Sequence, residues 1–213
     1  LPLCDFNQPQ PQYNICNLTA YDGLGRVEAT TDNIGRIERT FYDDKGQVAG
    51  IVKNWTGAIA SAADLPNCLT LAANRDEDIC TLFAYDGVGN NIIMTDTVGN
   101  MTRSFYDSLN HIEGMILNWD GQTMLASCLG LPPERDNNVC MMFGYDEAGN
   151  TNIITDTLGQ MTRTYYDMLG RTEYTVANWN PATLTDPAQD CVFAPDNDNE
   201  ENICSRSEYD AVG

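Results

Sequence analysis

The sequence predicts an all-β chain of tandem hairpins, and three observations carry that expectation. First, apolar, β-branched or aromatic runs of five to nine residues follow one another, too short for typical helices and of strand length. Second, each break opens on Asp and reaches Gly or Asn three positions later, as in "YDGLGRVEATTDNIGRIERTFYDDKG" from Tyr21. Third, the whole pattern recurs: YDGLG at 21 returns as YDGVG at 85, YDEAG at 145 and YDAVG at 209, at intervals of 64, 60 and 64 residues. Tyr21 to Trp55, Tyr85 to Trp119 and Tyr145 to Trp179 are each 34 residues apart, so this block aligns three times without a gap. Fixed-period self-similarity marks a repeat architecture.

Taken in order, residues 1–20 are a partial linker with a cysteine pair. Residues 21–84, 85–144 and 145–208 are three repeat units, and 209–213 begin the next. The chain reads as a window cut from something longer, with no charged-then-apolar leader at its start. In the second unit TLFAYD leads to GVGN, NIIMTD to TVGN and MTRSFYD to SLNH, and HIEGMILNW closes the block. Asp folds its carboxylate back onto the amides of a turn, while Gly or Asn accepts positive φ. The expected turn and stacking residues are therefore Tyr21, Asp22, Tyr42, Asp43, Tyr85, Asp86, Tyr106, Asp107, Tyr145, Asp146, Tyr166 and Asp167. The tyrosine rings are expected to stack along one face and link successive strands.

Met101, Arg103 and Phe105 alternate with Thr102, Ser104 and Tyr106, which describes a strand with two distinct faces. The recurring arginine (Arg39, Arg103, Arg163) shares a face with bulky apolar residues and is expected to pair with a carboxylate or stack on a ring. No helix longer than about two turns is expected.

The pattern YDxxGR…TDxxGR…YDxxG, carried here by residues 21–46, resembles the YD-repeat family, also called RHS repeats. Its members include bacterial RHS proteins, the shell-forming components of toxin complexes and the extracellular teneurins. The resemblance covers the three blocks, roughly half of the chain. It implies a long strip of hairpins that spirals, often into a hollow shell around a C-terminal cargo. The chain departs from that pattern in one way: about 25 residues with two cysteines interrupt each set of three turns.

The eight cysteines, Cys4, Cys16, Cys68, Cys80, Cys128, Cys140, Cys191 and Cys204, form four pairs separated by 12, 12, 12 and 13 positions. An even, repeated set in an acidic, strand-rich chain reads as disulfides closed within each linker in an oxidising compartment. Zinc is the competing reading; the absence of CxxC spacing and the single histidine count against it. Pairing between neighbouring linkers, such as Cys16 with Cys68, is left open by the spacing.

The formal charge of −20 repels phosphate backbones, so nucleic acid is not an expected partner. No apolar run approaches the roughly 20 residues of a membrane helix. His111 stands where other copies carry Gln47 and Arg171, no serine sits in a nucleophile elbow, and Gly23–Gly25 is a turn rather than a phosphate loop. No enzymatic activity is expected.

The acidic runs NRDEDIC, ERDNNVC and PDNDNEENIC offer Asp76, Asp78, Asp136, Asp196 and Asp198 as calcium candidates. Their spacing is not that of an EF-hand, and a solvated loop is the favoured reading, with no cofactor. Sequons at Asn17, Asn54 and Asn100 fall out of register with the repeat.

Together these readings point to an extracellular or cell-surface structural protein, a segment of a fibre whose partners are copies of itself or further repeats. Two alternatives stand beside it: a section of a toxin-encapsulating shell, and an adhesive module binding glycans or a receptor.

Overall fold

A computed structural model of the chain describes residues 17–70, 76–129, 136–187 and 201–210. The chain divides into two compact units, Leu1–Thr102 and Arg103–Gly213. Both are antiparallel sheets in which sequence neighbours are spatial neighbours. The first holds β1 (Leu18–Tyr21), β2 (Val27–Thr31), β3 (Ile37–Tyr42), β4 (Val48–Lys53), β5 (Ile79–Tyr85) and β6 (Asn91–Asp96), paired in that order. The strand β7 (Met101–Tyr106) straddles the division. The second unit continues with β8 (Ile112–Leu117), β9 (Val139–Tyr145), β10 (Thr151–Thr155), β11 (Met161–Tyr166), β12 (Thr172–Ala177) and β13 (Ile203–Arg206). The chain is all-β, a succession of hairpins, with disulfides in its linkers.

The hairpins turn alternately at two edges of each sheet. One edge carries the tyrosine-aspartate turns, and the other carries the turns at Asp32, Asp96 and Asp156 together with the linkers. Every described tyrosine-aspartate hairpin holds a β-bulge; the turns at Asp32 and Asp156 do not. Tyr21 pairs with Val27 but Ala20 pairs with Ala29, which leaves Glu28 as the extra residue. An extra residue bends its strand and raises the local twist, and here it does so at each described tyrosine-aspartate turn.

One face of each sheet is covered by linker. In the first unit Phe41, Val52, Ile59, Leu65, Cys68 and Cys80 form a buried cluster, with Trp55, Ala62 and Leu82 packed against it. In the second, Ile116, Leu125, Cys128 and Cys140 bury together beside Phe105, Trp119 and Met142. Trp55, Trp119 and Trp179 each donate the indole N–H to a carbonyl of their own linker, those of Ile59, Thr123 and Leu184. The ring thus packs on the sheet while its polar edge holds the linker down.

One expectation is corrected here. The first linker contains a nine-residue 3-10 segment, Ala62–Thr70, longer than two turns. In that helix residues three apart eclipse, so Ala62, Leu65 and Cys68 line up on the side facing the sheet. The apolar spacing of three, rather than a hairpin period, decides its form. Asp64 accepts from both the amide and the hydroxyl of Ser61 at its start.

Leu65 and Leu125 lie so close to the sheet that the strand beneath must be glycine. A Cβ on Gly114 would sit 2.7 Å from the Leu125 side chain and 2.8 Å from the Met141 carbonyl oxygen. Gly50 meets Leu65 in the same way. We expect Gly114→Ala to destabilise the protein by about 1–3 kcal/mol through overpacking. Urea unfolding checks this, and an unchanged midpoint contradicts the packing.

Candidate functional site

The recurring chemistry lies in nine described turns, beginning at Asp22, Asp32, Asp43, Asp86, Asp96, Asp107, Asp146, Asp156 and Asp167. In every one the Asp N–H donates to the carbonyl four residues on, and the residue three on donates back to the Asp carbonyl. The Asp Oδ1 accepts two further amides. For Asp22 these come from Leu24 and Arg26, both at 2.9 Å. The same pair recurs at each of the other eight. The third position after Asp has φ between 65° (Asn110) and 100° (Gly89), so the Gly or Asn there supplies the left-handed conformation that closes the turn.

The second carboxylate oxygen is engaged at most of these turns as well. Arg26, Arg36 and Arg171 donate Nε to Asp22, Asp32 and Asp167, and the amides of Asn90, Asn100 and Asn150 do the same for Asp86, Asp96 and Asp146. His111 places Nδ1 3.3 Å from Asp107 Oδ2. Such contacts hold the carboxyl groups of Asp22, Asp107, Asp146 and Asp167 below their ordinary range. The dominant cause at Asp22, Asp107 and Asp167 is the backbone N–H of Arg26, His111 and Arg171; at Asp146 it is the Asn150 side chain, with partial desolvation opposing throughout.

The tyrosines act differently from the expected ring-on-ring stacking, and the reason is distance. Tyrosines on one edge are two strands apart, about 10 Å, beyond the 4.5–7 Å of a ring pair. The hydroxyl reaches instead. Tyr42 donates to the Val27 carbonyl, Tyr85 to Val48, Tyr145 to Ile112, Tyr166 to Thr151 and Tyr209 to Thr172. Each acceptor lies five residues after the Asp of the preceding turn on the same edge. At three of the five the residue just before the acceptor covers the ring: Arg26 stands 3.9 Å over Tyr42, Arg171 4.4 Å over Tyr209, and His111 lies 4.8 Å from Tyr145.

On the covered face, Arg39 pairs with Glu28 and stacks between Phe41 and Trp55, at 5.7 and 5.1 Å. Arg103 lies between Phe105 and Trp119, and Arg163 between Tyr165 and Trp179. Both alternatives read for this arginine, carboxylate and ring, are realised at Arg39.

At the linker base, Asn54, Asn118 and Asn178 take positive φ, and so do Asp78, Asn138 and Asn202 opposite them. Asp78, Asn138 and Asn202 donate N–H to the carbonyls of Asn54, Asn118 and Asn178. Asp78 is fully buried, and its two carboxylate oxygens accept from the amide and hydroxyl of Thr56 at 2.9 and 2.6 Å. This corrects its place among the calcium candidates: the carboxylate is turned inward and used. Asp76 and Asp136 offer main-chain carbonyls to Asn54 and Asn118. Among the described residues no group of three or more His, Cys, Asp or Glu side chains converges as a metal site. Asp196 and Asp198 lie outside the described residues.

Cys68 is bonded to Cys80 and Cys128 to Cys140, with Cα separations of 6.1 and 6.0 Å. Cys204 is disulfide-bonded too; Cys4, Cys16 and Cys191 lie outside the described residues. The disulfides are tied to the turns at the linker edge. Thr97 Oγ1 accepts from the Cys80 N–H and donates to its carbonyl, and Thr157 does the same at Cys140. Of the sequons, Asn17 is exposed, Asn54 donates into the linker, and Asn100 is held to Asp96. Two shallow grooves occupy equivalent positions in the first and third repeats. One, of about 380 Å³, is lined by Thr30, Glu38, Lys53 and Ile79; the other, of about 490 Å³, by Ile154, Thr162, Ala177 and Ile203.

No family model and no curated protein sequence matches the chain. Solved structures do match its fold. The crystal structures of TcdB2-TccC3-Cdc42 and of TcdB2-TccC3 each align with a TM-score of 0.52 at 16% identity over 76% of this chain. The Photorhabdus luminescens Tc holotoxin pore carrying TccC3-D651A aligns with a TM-score of 0.50 at 16% identity. The chain spans about 7% of the length of each. At this identity the likeness is one of fold: the hairpin sheet of those toxin-complex proteins is shared.

Two outcomes are expected from the turns and linkers. The carboxyls of Asp22, Asp107, Asp146 and Asp167 have folded pKa values below the ordinary 3.8, so the unfolded chain takes up their protons first. Their contribution is complete above that value and lost as pH falls through the lower folded values. The melting temperature should hold level between about pH 5 and 7 and fall below about pH 4, with a shallower acid limb in Asp167→Asn. A melting temperature that rises on acidification contradicts this. Peptide mapping without reductant should recover Cys68–Cys80 and Cys128–Cys140, and each bond should contribute about 3 kcal/mol; free thiols or bridges between linkers contradict the pairing.

Proposed function

We propose that this chain is a non-catalytic structural segment of a longer extracellular repeat protein, a length of hairpin sheet that serves as part of a fibre. The observation that carries the reading is the use of the recurring carboxylates. All nine turn aspartates accept the amides of their own turns, so the feature that repeats most faithfully is spent on architecture. The disulfide-closed linkers support an oxidising compartment.

The fibre reading also draws on the covered face. Val52, Ile116 and Val176 are fully buried beneath their linkers, which makes a filled layer rather than a bare wall. The second reading, a section of a shell enclosing a cargo, draws on the fold shared with the TcdB2-TccC3 structures. It places the same sheet in a curved wall. In both, β1 and β13 are the outer strands of the described order, and open edges invite pairing.

Electron microscopy of the native, full-length material separates the two. Thin unbranched filaments with an axial repeat set by this unit are the expected result. Closed hollow particles containing a folded cargo replace the fibre with the shell. A catalytic turnover lost on Asp107→Ala without change in stability overturns the structural reading altogether.

A further inference from the structure

The first β-bulge of each repeat decides what faces its recurring arginine. In the first repeat the extra residue is Glu28, directly before Ala29, and Ala29 pairs with Arg39. A bulge re-aims a side chain, and this one brings Glu28 onto the Arg39 guanidinium, which stands between the rings of Phe41 and Trp55. The third repeat keeps every part of that arrangement except the acid. Tyr145 pairs with Thr151 and Gly144 with Ile153, so the extra residue is Asn152, directly before the partner of Arg163. Tyr165 and Trp179 flank the Arg163 guanidinium at 5.1 and 5.3 Å.

Two polar groups here bond to nothing that the described residues offer. Arg163 and Arg39 both bury Nε without a partner, so that feature belongs to the aromatic bracket itself. The two differ at the terminal nitrogens. Arg39 Nη2 donates to Glu28, whereas Arg163 donates to no described residue and forms no ion pair with one. In the second repeat Ile92 holds the bulge position, and Arg103 has a further partner. Asn152 is only 8% exposed, yet its carboxamide makes no hydrogen bond among the described residues. The other buried polar side chains, Asp78 and Asn138, are both bonded. A half-buried guanidinium and a buried amide left this way are costly unless a partner arrives.

We propose that Arg163 and Asn152 form a carboxylate-binding site in the third repeat, which takes from outside the sheet the group that Glu28 supplies in the first. Both side chains can donate to one ligand: the guanidinium is donor-only, and the carboxamide carries two N–H groups. The fork of the guanidinium matches the two oxygens of a carboxylate, and the same bracket already holds one at Arg39. A single negative charge fits better than the two of phosphate, because one arginine answers it within a chain of net charge −20. A small carboxylate in solution and an acidic side chain share this chemistry. The site is indifferent to whether the sheet lies in a fibre or a shell.

Nuclear magnetic resonance of the nitrogen-15-labelled chain reads the site through its arginine Nε–H signals, which burial protects at Arg163 and Arg39. Arg163→Lys identifies the signal. Sodium acetate, titrated against sodium chloride at constant ionic strength, should shift the Arg163 signal saturably with a half-point of about 1–30 mM and leave Arg39 in place. Asn152→Glu should put the Arg163 signal near its acetate-saturated position, abolish the response and raise the melting temperature. Glu28→Gln should transfer the response to Arg39. Nα-acetylglutamate amide separates the sources, and either result supports the site: a half-point equal to that of acetate assigns it to free carboxylates, and one about tenfold lower assigns it to an acidic side chain. An Arg163 signal that acetate does not move, or that sodium phosphate moves at the same half-point, overturns the proposal. So does an Asn152→Glu chain that melts lower and still responds to acetate.

Discussion

The aspartate that accepts the amides of the two residues at positions two and four after it is the interaction on which the structure depends. It converts a flexible break between strands into a five-residue loop with one shape, the same in nine turns. Because the loop has one shape, the chain reverses at a constant period and the sheet can be extended by addition. The carboxylate is suited to this task because one oxygen accepts two amides and the other is left for a side chain. That side chain comes from the fourth residue, Arg26 at Asp22 or Asn90 at Asp86, and Arg26 is thereby held over the Tyr42 ring. The turn thus builds its own contact with the next turn on its edge.

A second constraint comes from the covered face. A strip of hairpins with an apolar face needs something to lie on it, and the linkers supply that. The first and second copies bring a leucine so close that Gly50 and Gly114 are required beneath it. The third copy has Tyr174 at the corresponding position, itself buried, and its linker buries Leu184. One volume is filled from the linker side in two copies and from the strand side in the third. Linker composition and length can vary for that reason, provided the tryptophan, the disulfide and the asparagine corner keep their places.

Much of this was legible before the fold was known. Asp and Gly at fixed spacing have a local meaning, since carboxylate-to-amide bonds and positive φ are properties of four or five neighbouring residues. Hence the hairpins at Asp22, Asp43 and Asp107 could be read from the chain alone. The parts that escaped are those decided between strands. The bulge at Glu28 depends on the register of β1 against β2, which no local pattern states. The reach of the Tyr85 hydroxyl to Val48 depends on a strand spacing too wide for ring stacking. Buried Asp78 resembled a metal ligand among its acidic neighbours; the signal that distinguishes it is its place opposite the NW pair, where an αL residue is needed and where Asn138 and Asn202 stand in other copies. The 3-10 segment carried its own signal in Ala62, Leu65 and Cys68, three residues apart.

The two edges of the strip have divided their labour. Each linker leaves from the end of β4, β8 or β12, so every insertion falls on the edge opposite the tyrosine-aspartate turns. The tyrosine ladder consequently passes each linker without interruption. Tyr85 reaches back 37 residues to Val48, Tyr145 reaches 33 to Ile112, and Tyr209 reaches 37 to Thr172, yet the bond has nearly the same length in all three, 3.0, 2.9 and 2.8 Å. Sequence separation changes while geometry does not. An edge that never carries an insertion can keep a strict period, and an edge that carries all of them can vary without disturbing it. Placing the described cysteines and the linkers on one side is therefore what lets a disulfide-stapled chain keep the regularity of a simple repeat.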